Sequence, residues 1–167
     1  IRWHDAMMSG ARRQRALAGM REPELGSYLA LRERLSHAVL REKLLPREAL
    51  AREPELEAAS DEFRGARVHG RYARFFQQLE DADVAAACSR YEGPLLVMRG
   101  ELDWITGEED AASVVAAARA PTFVSFPGIA PLMHRRESME EAYEHTFGGD
   151  FDAGGADAIA RFFASAR

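Results

Sequence analysis

The sequence predicts an α/β chain in which a helical first half precedes a strand–helix–strand unit. Three observations carry that expectation. Good helix formers dominate the first half, with proline confined to a few punctuating positions. Two short apolar runs, PLLVMRG (94–100) and PTFVSFPG (121–128), then read as strands. The segment between them, GEEDAASVVAAARA (107–120), reads as a helix with acids in its first turn, where they complement the dipole.

In chain order, residues 5–20 contain no proline and are rich in Ala, Leu, Met, Gln and Arg, which predicts a helix. Over 23–44, Leu25, Tyr28, Leu29, Leu35, Ala38 and Val39 recur at helical spacing, and Pro23 suits a first turn. Pro46 and Pro54 divide the next stretch of chain into short helices. Tyr72, Phe75, Phe76 and Leu79 form an aromatic stripe that predicts a helix over 70–79 packed on a core. A short helix is expected over 84–89. Strand 94–99 is nearly all apolar, the pattern of a strand buried on both faces. Strand 122–126 is rich in β-branched and aromatic residues and closes at a Pro-Gly turn. A strand–helix–strand unit implies parallel strands and a right-handed crossover. The last helix, 154–167, carries Ala158, Ile159, Phe162 and Phe163 on one side. Parallel sheets are normally covered on both faces and have more than two strands. An exposed sheet edge and an apolar patch, through which the chain could self-associate, are therefore expected.

The chain has 167 residues, 47% of them apolar, with a net charge of −5. That composition suits a globular fold and argues against a nucleic-acid groove, which needs a basic footprint. Arg12, Arg13 and Arg15 cluster, but acids come soon after, as on a solvated helix face. Cys88 is the one cysteine, so no internal disulfide is possible, and a cytoplasmic location is expected. No apolar run is long enough to span a bilayer, so no membrane partner is expected. The sequence begins at Ile1, as a truncated or processed chain would.

Ligands and catalytic groups in open α/β sheets sit just past the carboxyl ends of strands. After 94–99 comes RGELDWIT, with Glu101 and Asp103; after 122–126 comes PGIAPLMHRRE, with His134. A carboxylate and an imidazole on neighbouring loops could form the Asp–His half of a proton relay. Asp103 is the first candidate for the acid and Glu101 the second. Trp104 and Ile105 would line or support the pocket floor. Glu141 and His145, four apart, could share a helix face, but no third ligand is apparent and a surface pairing is the simpler reading. His4, His37 and His69 lie in the helical half without a readable partner. No metal or cofactor is expected.

PLLVMRGELDWIT followed by TFVSFPG resembles the last two strands of an α/β-hydrolase. In that family the chain order is nucleophile, acid, histidine. Gly100 and Asp103 match the family's Gly-x-x-Asp turn. Residues 1–82 then correspond to a helical cap and 83–167 to the C-terminal part of an incomplete core: a βαβ unit of two parallel strands and a C-terminal helix. The resemblance implies a serine-type hydrolase acting on a small ester, amide or related bond, with Asp103 and His134 as catalytic residues. Two departures stand out. The Gly-x-Ser-x-Gly elbow is absent: Ser9 and Ser27 lie outside that pattern, and Cys88 sits in AAACSRY on an expected helix. Nucleophile and oxyanion donors would come from a missing N-terminal portion, and the isolated chain is expected to be inactive. The family's histidine is also expected at position 131, which holds Pro131. Either His134 serves as the base or the base has been lost. The alternative function is a non-enzymatic binding module derived from the same fold.

Overall fold

A computed structural model describes residues 2–165. The chain divides into two compact units between Asp83 and Val84.

In the first unit, helix α1 (Trp3–Leu17) is followed by α2 (Glu24–Leu40) and α3 (Pro46–Arg52), then a 3-10 turn (Pro54–Ala59). Proline opens both α3 and the 3-10 turn, where its missing N–H costs nothing. Leu35, Ala38, Val39 and Leu40 of α2 are essentially excluded from solvent and anchor a core with Met7, Ala49, Leu56, Phe63, Val68 and Phe76. A second cluster joins Ala11, Leu25, Tyr28, Leu29 and Ala59.

Where the stripe at 72–79 predicts a single helix, the chain first makes a small sheet. Strands β1 (Phe63–Arg64), β2 (Arg67–Val68) and β3 (Arg71–Tyr72) pair antiparallel in order, and α4 (Ala73–Asp81) begins only after them. The β2–β3 turn puts His69 at φ 45° and Gly70 at φ 75°. Positive φ at both central residues is what a two-residue hairpin turn of type I′ requires. The stripe therefore splits: Phe76 is buried, while Tyr72 is 63% and Phe75 42% exposed.

The second unit contains α5 (Val84–Arg90), β4 (Leu95–Gly100), α6 (Glu108–Ala117), β5 (Pro121–Phe126), a 3-10 turn (Pro131–Met133), α7 (Met139–Glu144) and α8 (Gly154–Ser165). Strands β4 and β5 are parallel, in register from Leu95 opposite Pro121 to Gly100 opposite Phe126. The fold is thus a mixture of helix and sheet with a small parallel pair. Strand β4 is not buried on both faces: Met98 is 37% exposed, and Phe123 of β5 is 47% exposed. Neither strand has a further strand neighbour among the described residues. On α8, Ala158 is buried whereas Ile159 and Phe163 are exposed; residues 166–167 of the expected helix lie outside the described residues. No helix among the described residues is long and apolar enough to cross a membrane.

Candidate functional site

Because β4 and β5 are parallel, both loops that leave their carboxyl ends emerge on one edge of the sheet. Backbone hydrogen bonds join the loops. Glu101 N–H donates to the Phe126 carbonyl (3.0 Å), and Leu102 N–H to the Ile129 carbonyl (2.9 Å). Gly100 makes this approach possible: a Cβ there would sit 2.2 Å from the Ile129 carbonyl oxygen. Gly128, at φ 67°, supplies the turn that brings Ile129 back.

Asp103 comes next, in the β4–α6 loop. Its Oδ1 accepts from Ile105 N–H (2.9 Å) and Thr106 N–H (3.0 Å), a local turn of the kind short acidic side chains favour. Helix α6 is capped by Asp110, which accepts from Gly107 N–H at 2.9 Å. Asp103 therefore holds its own loop in shape through one oxygen.

His134 lies in the loop after β5. Pro131 is buried and opens the 3-10 turn, and the next two residues, Leu132 and Met133, have φ of 62° and 63°. Left-handed backbone at two successive non-glycine residues is uncommon and costs conformational energy. Several bonds hold it. Ala130 N–H donates to the His134 carbonyl (2.8 Å), Asp152 N–H to the Met133 carbonyl (2.8 Å) and Arg136 N–H to the Gly128 carbonyl (2.9 Å). His134 also bridges Phe151, and Arg135 pairs with the buried Asp152. The imidazole Nδ1 is out of solvent without a hydrogen-bond partner. No hydrogen bond or ion pair joins His134 to Asp103 among the described residues. The loops meet through their backbones; the two side chains do not form a relay in this state.

The remaining sequence candidates take structural places. Glu101 is exposed in the same loop as Asp103, and Ile105 is exposed as well. Trp104 stands edge-on to Tyr143 with ring centroids 5.2 Å apart, and its indole N–H reaches the Ala142 carbonyl and Thr146 Oγ1, both at 3.2 Å. It thus braces α7. The side chains of Glu141 and His145 do not pair with each other among the described residues. Ser138 caps α7 by accepting from Glu141 N–H, and the Glu141 carboxylate accepts from Glu137 N–H at 2.7 Å. Cys88 lies on α5, while Ser9 and Ser27 lie on α1 and α2. His37 contacts Glu42 at 3.1 Å, and His4 is buried with Asp5 3.2 Å and Glu33 3.4 Å away.

Sequence reasoning missed the buried ionic groups of the first unit. Arg32 is 2% exposed, pairs with Glu62 at 2.6 Å, donates to the Ala59 carbonyl and lies over the Phe63 ring. Tyr28 donates its hydroxyl to Asp61 at 3.1 Å, and Asp61 also receives Arg15. Burial pushes the Tyr28 phenol above its usual range, against the pull of Arg32 and Arg15. Glu80 is buried and accepts from His4 N–H (2.7 Å) and Arg41 Nε (3.1 Å). The sequence does hold one signal: Arg32 falls in phase with Leu25, Tyr28, Leu29 and Leu35, and a charge within an apolar stripe needs a partner.

No group of three or more potential metal-ligating side chains is found among the described residues. No family model, no curated protein and no solved structure matches the chain.

Proposed function

We propose that this chain is the C-terminal part of a serine-type α/β-hydrolase acting on a small ester, amide or related bond. On this reading residues 1–82 are its cap, 83–167 belong to its core, and the location is cytoplasmic. The observation that supports the reading is the parallel β4–β5 pair. Its two carboxyl-end loops are bonded at Leu102 and Ile129, and they carry a carboxylate and an imidazole in the order that fold uses. Asp103 is the acid that orients and stabilises the histidine, and His134 is the base. The serine and the oxyanion donors come from a segment outside this sequence.

The observation that favours a second reading, a binding module without turnover, is that Asp103 is engaged with its own loop and His134 makes no bond to it. Reading the gene upstream of the Ile1 codon tests the first proposal. A strand, a Gly-x-Ser-x-Gly turn and a helix are expected there. The longer chain should hydrolyse activated esters, and Asp103→Asn should lower kcat by orders of magnitude, as loss of the orienting acid does in a triad (about 10⁴). A start codon at that point without such an elbow would overturn the hydrolase reading in favour of the second. Within an active longer chain, Pro131→His separates the two histidine positions. Activity rises if position 131 is the vacated base, and does not rise if His134 serves.

A further inference from the structure

A second candidate site lies in the first unit, on the three-stranded sheet, and is independent of the hydrolase reading. Residues 63–79 contain Arg64, Arg67, Arg71 and Arg74 and no acidic residue, in a chain whose net charge is −5. The antiparallel register sets Arg64 opposite Arg67, and Arg67 opposite Tyr72. Directly opposed residues project from the same face of a sheet. All three are exposed, while Phe63 and Val68 turn inward to the core. The Arg67 guanidinium lies 4.4 Å from the centre of the Tyr72 ring, held by a 2.8 Å bond to the Gly70 carbonyl. Arg71 covers Phe75 in the same way at 5.2 Å. Beside Arg64 a depression of about 600 Å³ opens, lined among others by Arg47, Ser60, Phe63 and two acids, Glu57 and Asp61, the second of which is paired with Arg15.

The arginines of this face lack carboxylate partners among the described residues. Many other basic side chains of the unit have one: Arg32 with Glu62, Arg34 with Glu55, Arg41 with Glu80, Lys43 with Asp81 and Arg52 with Glu42. Arg2 and Arg21, away from this face, donate to backbone carbonyls instead. Arg47, Arg64 and Arg67 have no ion pair among the described residues. Arg64 donates to the Asp61 carbonyl, and Arg67 to the Gly70 carbonyl while covering the Tyr72 ring.

We propose that this face binds a ring-bearing organophosphate of mononucleotide size. The phosphate sits between Arg47 and Arg64 at the depression, and the planar ring stacks on the Arg67–Tyr72 pair. Guanidinium forks match phosphate oxygens, and an exposed aromatic carrying a guanidinium presents a flat surface to a second ring. Strand spacing of roughly 4.8 Å places Tyr72, two strands away, about 10 Å from Arg64. That span matches the distance from a phosphate to a stacked base within one nucleotide. Glu57 and Asp61 at the depression and the chain's net negative charge favour one phosphate over a continuous phosphate chain.

Calorimetric titration of the full chain with adenosine monophosphate tests the proposal, with inorganic phosphate, adenosine and a short single-stranded oligonucleotide as the other arms. The monophosphate should bind saturably, more tightly than phosphate or adenosine alone, and weaken with added salt. Arg64→Ala should lower affinity roughly tenfold, the scale of one charge-assisted contact. Arg67→Lys keeps the charge but removes the planar stack. It should weaken the monophosphate and leave inorganic phosphate unchanged. Tyr72→Ser should do the same. The substituted side chains are exposed, and an unchanged circular dichroism spectrum verifies the fold. Monophosphate affinity equal to that of phosphate alone, or no monophosphate binding in the millimolar range, would overturn the proposal. So would an oligonucleotide that binds far more tightly with a salt slope of several phosphates, which would make the ligand a polymer.

Discussion

Leu102 and Ile129 are joined by a 2.9 Å backbone hydrogen bond that ties the loop of Asp103 to the loop of His134. The bond depends on Gly100, whose missing side chain leaves room for the Ile129 carbonyl. Gly100→Ala would place a methyl 2.2 Å from that oxygen, and backbone must move to accommodate it. A loss of about 1–3 kcal/mol is expected, the usual cost of overpacking, with the largest amide shifts at 101–103 and 128–130. An unchanged denaturation midpoint would show that the loops are not locked together.

Asp103 separates structural from chemical work. Asp103→Ala removes the acceptor for Ile105 and Thr106 and should cost about 1 kcal/mol. Asp103→Asn keeps an acceptor oxygen and should cost clearly less. Chemical denaturation of both variants checks this, and equal losses would mean that the turn does not rest on the oxygen.

Arg32 is a buried charge held by Glu62. Arg32→Leu leaves the partly exposed Glu62 without its guanidinium partner and empties the face of Phe63. Breaking a fully buried pair from one side typically costs about 3–5 kcal/mol, and the partial exposure of Glu62 places the expected loss at or below the lower end of that range. The double variant Arg32→Leu, Glu62→Leu should recover most of that loss, because neither charge then remains unpaired. Urea midpoints of the two single variants and the double variant measure the coupling directly.

The raised pKa of Tyr28 has a readout in alkali. The folded state holds the phenol proton more tightly than the unfolded chain does, so its contribution is fully present below the usual phenol value. It is lost as pH rises through the folded value. Absorbance titration should show one of the four tyrosines ionising late, coincident with loss of structure. Tyr28→Phe should remove that phase.

How far the sequence could be read depended on element length. Strands β4 and β5 and helix α6 are each long enough to show an apolar run or a helical period, and their boundaries fall close to those expected. Strands β1 to β3 are two residues long, shorter than any window in which alternation can be seen. Their only signals were Gly65 and Gly70, and the adjacent aromatics drew Tyr72 into a helix it does not join. At the strand ends, spacing located Asp103 and His134 on neighbouring loops. It could not show that Asp103 bonds its own loop, or that Leu132 and Met133 take left-handed backbone. Those outcomes depend on rotamers and on tertiary anchors such as Arg135–Asp152.

The two clusters of buried side chains found among the described residues both lie in the first unit. In the second, the buried apolar side chains among the described residues are Ala111, Ile129, Ala130, Pro131, Ala142 and Ala158, four of them alanine. A methyl group removes little apolar area from water, so these contribute far less than the leucines and phenylalanines of α2 and its neighbours. Cooperativity should therefore be uneven along the chain. Amides of α2 should exchange with solvent deuterium most slowly, and those of β4 and β5 early, through openings that leave the helical unit intact. A single melting temperature would then average two transitions, and the stability of each unit has to be measured by a probe placed within it.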